Sequence, residues 1–392
     1  MALRLTTPEL TKEAIDLLTE AVAARCEPEV EIYEKEVAGV YADAMDRFGM
    51  EVEVFEAASG RPSVVGRVRG SGGGKSLGFN AHLMSPISEA DDWDTAPYEA
   101  IVKDHRIIGS GVADAKAGIV AMLFAARELS ARNPMGDLIV GLGAGGEFGG
   151  MIGTKAMVDR GILPDAVIVC EATHLDLIHR ERGAIFLDIN VKGETGLSGG
   201  GVNANHAALE IASALMELNT DLRTKEAPDD VGQGALNVNY IKGGTYYYNV
   251  PDRCVLYIDR RLALEESLEE AMADIERVVS ECRRSNPQIE VTLESRTQVP
   301  PCETDPESTL ARELSLVIEG VKGEPPAFKG IRGFTEMAHW AAAGIDSVVC
   351  GPGGLDVIHR PNEYMEISEF MDTIDVYAAI AQRFTALPKD HQ

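Results

Sequence analysis

The stretch Leu138-Ile-Val-Gly-Leu142, the helical spacing over Ile152–Arg160 and the run Ala166-Val-Ile-Val-Cys170 decide the fold. Both runs are apolar throughout, the pattern of strands covered on two faces. A helix between such strands indicates a mainly parallel sheet. Upstream, a helix over about Ala115–Arg132 feeds the first run. Short apolar runs precede it at Glu51–Glu56, Ser63–Arg69 and Ser76–Asn80. The chain opens with two helices. One follows Thr7-Pro8, a cap with proline at the first helical position; the second spans about Pro28–Phe48.

Downstream the pattern changes near Gly183. Leu187, Ile189 and Val191 alternate with Asp188, Asn190 and Lys192, describing a strand with one wet face. A helix over about Asn203–Leu218 follows, then strands near Ala235–Lys242 and Cys254–Asp259. A helix over Leu264–Arg284 and a strand at Ile289–Leu293 complete a small α+β unit. After Pro300 the α/β character returns, with helix Glu307–Glu319, strand Asp346–Cys350 and helix Ile367–Thr385. The expected fold class is α/β: a mainly parallel sheet with flanking helices over 1–182 and 299–392, interrupted by an α+β domain over 183–298.

The chain has 392 residues, ordinary globular composition and a formal charge of −27. That charge argues against a nucleic-acid or membrane partner, because both need a basic face. No apolar run is long enough to span a bilayer, and the N-terminus lacks the form of a signal peptide. Six dispersed cysteines without a C-x-x-C read as buried free thiols, so a cytoplasmic protein is expected.

The chemistry gathers just past the ends of the expected strands, where open α/β sheets place their sites. His82 follows Ser76–Asn80, and Asp114 follows Ile107–Ser110. Glu147 follows Leu138–Gly143, Glu171 follows Cys170, and His359 follows Cys350-Gly-Pro-Gly353. Two imidazoles and three carboxylates are ligands for Zn²⁺, Mn²⁺ or Co²⁺, one or two ions per subunit. A shared carboxylate can hold two ions about 3.5–4 Å apart.

The order and context of these residues resemble the family of aminoacylases, acetylornithine deacetylases, succinyl-diaminopimelate desuccinylases and glutamate carboxypeptidases. The resemblance runs through Asn80-Ala-His82, Trp93-Asp-Thr-Ala-Pro97, Gly111-Val-Ala-Asp114-Ala-Lys116 and Glu147-Phe-Gly-Gly150. It continues through Glu171-Ala-Thr173, Arg182-Gly183, Asp259-Arg-Arg261 and His359-Arg-Pro-Asn-Glu363. It implies a zinc-peptidase-like catalytic domain with a ferredoxin-like lid that pairs subunits, hence a homodimer or larger homo-oligomer. It also implies that Asp114 bridges two metals, with His82 and Glu171 at one and Glu147 and His359 at the other. By the same resemblance Arg261 meets a substrate carboxylate.

Three departures stand out. The family has His-x-Asp at the first ligand, and here Met84 replaces the aspartate that orients the histidine. The family's general base falls at Gly146, which has no side chain, a loss typically worth about 10²–10⁴-fold in amide hydrolysis. A lid histidine that helps hold the oxyanion is replaced by Leu197. Asn249 also lies closer to Pro251 than is usual.

These losses point away from ordinary peptide hydrolysis. Metal-bound hydroxide still attacks an electrophile that is already activated. The resemblance extends to one such case, 5-nitroanthranilate aminohydrolase, in which hydroxyl replaces an aromatic amine. A site lined by Met84, Leu197, Asn249 and Tyr248, with Tyr246 and Tyr247, suits a flat aromatic acid. The expected activity is hydrolysis of a C–N bond in a small carboxylate-bearing, non-peptide substrate, with Glu194, His179 or Glu336 as substitute proton shuttle. Conventional deacylation with another base, non-hydrolytic chemistry and a non-catalytic role stand as alternatives.

Overall fold

The computed structural model describes residues 4–26, 33–85, 92–146, 150–197, 200–228 and 230–389. The chain forms two units: Met1–His179, Thr304–Lys329 and Thr335–Gln392 in the larger, Arg180–Glu303 and Gly330–Phe334 in the smaller.

Four parallel strands form the centre of the larger unit's sheet, in the order Leu138–Gly143, Leu77–His82, Ala166–Val169 and Asp346–Val349. Three of the four are buried at every position, which is why their sequences do not alternate. Antiparallel strands extend the sheet on both sides. Arg61–Val68 and then Glu51–Ala58 lie beyond Leu138–Gly143, and Leu177–Glu181 lies beside Asp346–Val349. Helix Ala117–Ser130 is apolar nearly all round and correspondingly buried, sharing the core with helix Ile367–Thr385. Gly118 lets the first of these approach the sheet, since a Cβ there would collide with Cys170 Sγ. Helix Pro8–Ala23 is capped by Thr7, whose hydroxyl accepts the Leu10 N–H.

The smaller unit is an antiparallel sheet in the order Ala235–Gly243, Arg253–Leu262, Gly183–Lys192 and Glu290–Val299. Helices Ala204–Leu222 and Leu268–Ser285 contribute to its separate core. Burial alternates along Arg253–Leu262, as one covered face requires. This β-α-β-β-α-β arrangement is ferredoxin-like.

Two readings of local structure need correction. Ile107–Ser110 is not a strand of the main sheet. Arg106–Ile108 belongs to a small antiparallel sheet with Ile101–Lys103 and Tyr364–Glu366. Strand Leu177–Glu181 went unread because His179 and Glu181 break its apolar run while being buried. The expected helix over Pro28–Phe48 is observed as Lys35–Arg47, and 27–32 lie outside the described residues. Among the described residues no helix is long and apolar enough to cross a membrane. All six cysteines are free.

Candidate metal centre

His82 is the last residue of a central strand, and Glu171 stands two residues beyond the neighbouring strand Ala166–Val169. Asp114 lies in the π-helical turn Val112–Lys116 that leads into helix Ala117–Ser130. One ligand atom from each of His82, Asp114 and Glu171 falls within 4.8 Å of the other two. His82 Nε2 is 3.1 Å from Asp114 Oδ1 and 3.4 Å from Glu171 Oε1. On the other side, His359 Nε2 is 2.9 Å from Asp114 Oδ2. The two oxygens of one buried carboxylate thus face two different imidazoles. Glu147 lies outside the described residues.

These groups fit a divalent cation. Asp114 Oδ1 is buried and accepts no hydrogen bond, an arrangement that costs free energy unless a positive charge completes it. The electrostatics point the same way. Burial opposes ionisation of Asp114, yet His82 and His359 hold its pKa far below the ordinary value. Burial also opposes a charged His82, but Glu171 and Asp114 raise its pKa well above 6.5. Glu171 is pushed well above 4.5, first by burial and then by Asp114 and Glu336, against His82.

The missing His-x-Asp aspartate is compensated by the main chain. His82 Nδ1 lies 2.6 Å from the carbonyl oxygen of Met84 and donates to it, leaving Nε2 to face the ligand cluster. The expectation that position 84 no longer orients His82 is corrected on this point: the methionine side chain cannot accept, but its carbonyl does. The Met84 side chain is itself part of the hydrophobic core.

Gly146 is more than an absent base. A Cβ there would lie 2.6 Å from His82 Cγ and closer still to His82 Cβ. Carbon atoms in ordinary contact sit about 3.5–4.0 Å apart, so His82 as placed leaves no room for a side chain.

A residue without an assigned role in the sequence reading supports Asp114. Glu363 is buried, and its carboxylate accepts the N–H groups of Gly111, Ala113 and Asp114 at 2.9, 2.7 and 3.1 Å. Burial, then the charge of Asp114, pushes its pKa up to about 7 against those three hydrogen bonds. It follows His359 by four residues, so one loop carries both a candidate ligand and the clamp on another. The run His359-Arg-Pro-Asn-Glu363 was the available signal, although nothing in it names the distant amides. Glu34, also buried, holds the entry to the Gly146 turn by accepting the Gly145 N–H at 2.8 Å while paired with Arg61.

The remaining expected site residues divide between the units. His179 is buried in the larger unit, where Nδ1 faces the Thr304 carbonyl at 3.0 Å and the ring packs edge-on against Phe328. Glu336 is buried there too, near enough for its charge to act on Glu171. In the smaller unit, Leu197 pairs with Asn249 across a two-stranded ribbon next to Tyr248. Leu197 and Tyr246 to Tyr248 are exposed, with the rings of Tyr246 and Tyr248 stacked at 5.8 Å. Glu194 is exposed and forms a main-chain bridge with Val202. Arg261 donates to Asp259 from Nε at 2.7 Å and Nη2 at 3.2 Å.

His82 and Glu171 at the ends of parallel strands, with Asp114 and His359 beside them, form a candidate metal centre in an α/β unit. The chain belongs to peptidase family M20/M25/M40, whose model matches residues 80–383. It is 28% identical over 358 residues to the N-formyl-4-amino-5-aminomethyl-2-methylpyrimidine deformylase of Halalkalibacterium halodurans, covering 83% of each chain. It is 22% identical to a probable succinyl-diaminopimelate desuccinylase of Staphylococcus aureus, covering 93% of this chain and 96% of that one. Among solved structures, an M20 metallo-carboxypeptidase from Sulfolobus solfataricus superposes with a TM-score of 0.81 at 17% identity, covering 96% of this chain and all of that one. A Bacillus subtilis member of the family is described as a dinuclear metal-binding peptidase, and the present chain is an enzyme that hydrolyses C–N bonds.

Proposed function

We propose that the protein hydrolyses a C–N bond in a small, acidic, non-peptide substrate built on an aromatic or heteroaromatic ring. The carrying observation is an Asp114 carboxylate set between two imidazoles with its Oδ1 left without a hydrogen bond, beside a Gly146 with no room for a carboxylate base. Mn²⁺, Zn²⁺ or Co²⁺ suits the donor set, and a bound ion supplies Lewis acidity and lowers the pKa of water toward about 7. Asp114, His82, Glu171 and His359 would hold the metal, and by the family resemblance Glu147 would complete the ligand set. Met84 fixes the His82 tautomer through its carbonyl, and Glu363 holds the Asp114 backbone.

Glu336 is the preferred shuttle candidate, because it is buried in the same unit as the ligands and its charge acts on Glu171. His179 is engaged with Thr304 and packed on Phe328, and Glu194 lies in the other unit. The departing amine must still be protonated, and in the absence of a carboxylate at position 146 Glu336 would carry to it the proton taken from the attacking water.

Two ring substrates are in view. Replacement of an aromatic amine by hydroxyl, as on a nitroanthranilate, needs no oxyanion donor over a peptide carbonyl. Removal of a formyl group from an aminomethyl heterocycle, which is not acidic, is the second reading, favoured by the similarity to the Halalkalibacterium deformylase. We also propose a reducing, cytoplasmic setting, in keeping with six free cysteines. Copies would pair through the smaller unit, whose edge strand Ala235–Gly243 leaves Tyr240 and Ile241 about half exposed.

The test is a kcat/KM panel on metal-reconstituted enzyme, containing nitroanthranilates, N-formyl heteroaromatic amines, N-acyl amino acids and dipeptides. The proposal expects a ring substrate to lead by at least about tenfold, with Glu336→Gln lowering kcat by about 10²-fold or more. Dipeptides or N-acyl amino acids leading the panel would refute it.

A further inference from the structure

The turn that crowds His82 is held by groups outside the ligand cluster. Every main-chain polar group of Ala144 and Gly145 has a partner. Ser63 Oγ accepts the Ala144 N–H at 3.0 Å. The Ala144 and Gly145 carbonyls accept the N–H groups of Gly153 and Met151 at 2.9 and 2.8 Å. The fourth group, the Gly145 N–H, goes to a charged side chain, Glu34 Oε1, at 2.8 Å. Gly145 is buried at φ +71°, a conformation that glycine adopts at little cost. The next residue, Gly146, is the one with no space for a Cβ beside His82.

Glu34 reaches this turn from another element of the same unit. Its carbonyl accepts the Ala38 N–H at the start of helix Lys35–Arg47, but its side chain does not cap that helix. The carboxylate is fully buried and meets Arg61 Nη2 and Nε at 2.5 and 2.7 Å. Arg61 opens the strand that also carries Ser63, and its guanidinium stands over the Tyr33 ring at 4.4 Å. A buried carboxylate persists where it is both paired and hydrogen-bonded. Arg61 supplies the pair, and the Gly145 N–H is the hydrogen bond that leads toward His82.

His82 is therefore confined on two sides. The Met84 carbonyl takes Nδ1, and Gly146 closes on its Cβ and Cγ. Without Glu34 the buried Gly145 N–H has no acceptor, so the turn must shift to find one, and Gly146 shifts with it. We propose that Glu34, braced by Arg61, is a positioning residue of the metal centre: through the Gly145 N–H it sets Gly146 against His82 and so fixes the direction of His82 Nε2. The proposal rests on His82, Asp114 and Glu171 being metal ligands, and it is independent of the substrate.

Titration of chelator-stripped protein with Co²⁺, followed by its visible ligand-field absorption, decides the matter. The wild type should bind Co²⁺. Glu34→Ala should weaken binding at least about tenfold and alter the absorption bands, as when a group that orients a ligand is lost. Glu34→Gln keeps an oxygen for the Gly145 N–H and should stay within about threefold of wild type, whereas Glu34→Asp keeps the charge but falls one methylene short and should bind more weakly than Glu34→Gln. Glu266→Ala breaks a buried ion pair of the other unit, and urea unfolding of the metal-free proteins should show it destabilised while its Co²⁺ affinity stays within about threefold of wild type. Glu34→Ala that is less stable yet binds Co²⁺ like wild type, with unchanged bands, overturns the proposal. Equal loss of affinity in Glu266→Ala overturns it too, since the loss would then report stability alone. Glu34→Asp binding like wild type while Glu34→Gln loses affinity overturns the route through Gly145 and leaves only the ion pair. That order of Gln and Asp decides the matter even where Glu34→Ala does not fold. A wild type that binds no Co²⁺ overturns the metal centre and the proposal with it.

Discussion

Replacing Gly146 by glutamate looks like the way to restore a peptidase base, and the structure says that it will fail. The obstruction begins at Cβ, 2.6 Å from His82 Cγ. Ordinary carbon contacts need about 3.5 Å, so the ring must retreat by at least about 0.9 Å. His82 has nowhere to go: it is 3% exposed and tied to the Met84 carbonyl at 2.6 Å. Metal ligands tolerate displacements of about 0.2 Å, so the shift is several times what coordination permits. We expect metal affinity to fall at least about 10–100-fold, the range typical when a ligand loses its orientation. Stability should fall by about 1–3 kcal/mol, the usual cost of overpacking. Gly146→Ala should reproduce most of both effects, because it carries the offending atom without the charge. Calorimetric metal titration and urea unfolding of Gly146→Ala, Gly146→Glu and wild type supply the numbers. A Gly146→Glu protein that binds metal like wild type and cleaves dipeptides faster would refute the reasoning.

Three further outcomes follow from the same contacts. Met84→Leu should leave metal affinity within about threefold, since the carbonyl rather than the side chain orients His82, and the volume-conserving swap should cost under about 1.5 kcal/mol; metal titration checks it. Glu363→Ala strands three buried N–H groups at about 1–3 kcal/mol each and should lower both melting temperature and metal affinity. In the smaller unit, Glu266→Ala leaves Arg260, which is fully buried, without its partner, at a cost of about 3–5 kcal/mol by urea unfolding. Burial opposes ionisation of Glu266, but Arg260 and the Ala263 N–H hold its pKa below 4.5. Its contribution is therefore fully present above about pH 4.5 and is lost as pH falls through the folded value; wild type and Glu266→Gln should converge in stability on acidification.

The parallel core was legible because strands buried on both faces leave unbroken apolar runs, as at Leu138–Gly143 and Ala166–Val169. The α+β unit was legible from alternation along Gly183–Lys192. Leu177–Glu181 was not, because its buried polar residues owe their burial to tertiary partners such as Thr304. Ligand candidates could be picked out by residue type and strand-end position. Their supports could not, for two physical reasons. A side-chain reading of Met84 sees a lost acceptor, whereas every residue carries a carbonyl that can take the same proton. Glu363 acts on amides about 250 positions away, a relation that no local pattern encodes. At Gly146 the sequence reported a missing carboxylate, and only the packing against His82 reports missing space.

The central claim is that this ligand cluster hydrolyses a C–N bond in a small acidic ring substrate without a carboxylate at position 146. The most direct test is turnover of the leading ring acid in ¹⁸O-labelled water, comparing chelator-stripped enzyme with the same sample after Mn²⁺ or Zn²⁺ is restored. The account predicts one solvent oxygen in the product, release of the amine-side fragment, and activity that returns only with metal. Turnover that survives chelation, or product without the label, would contradict it.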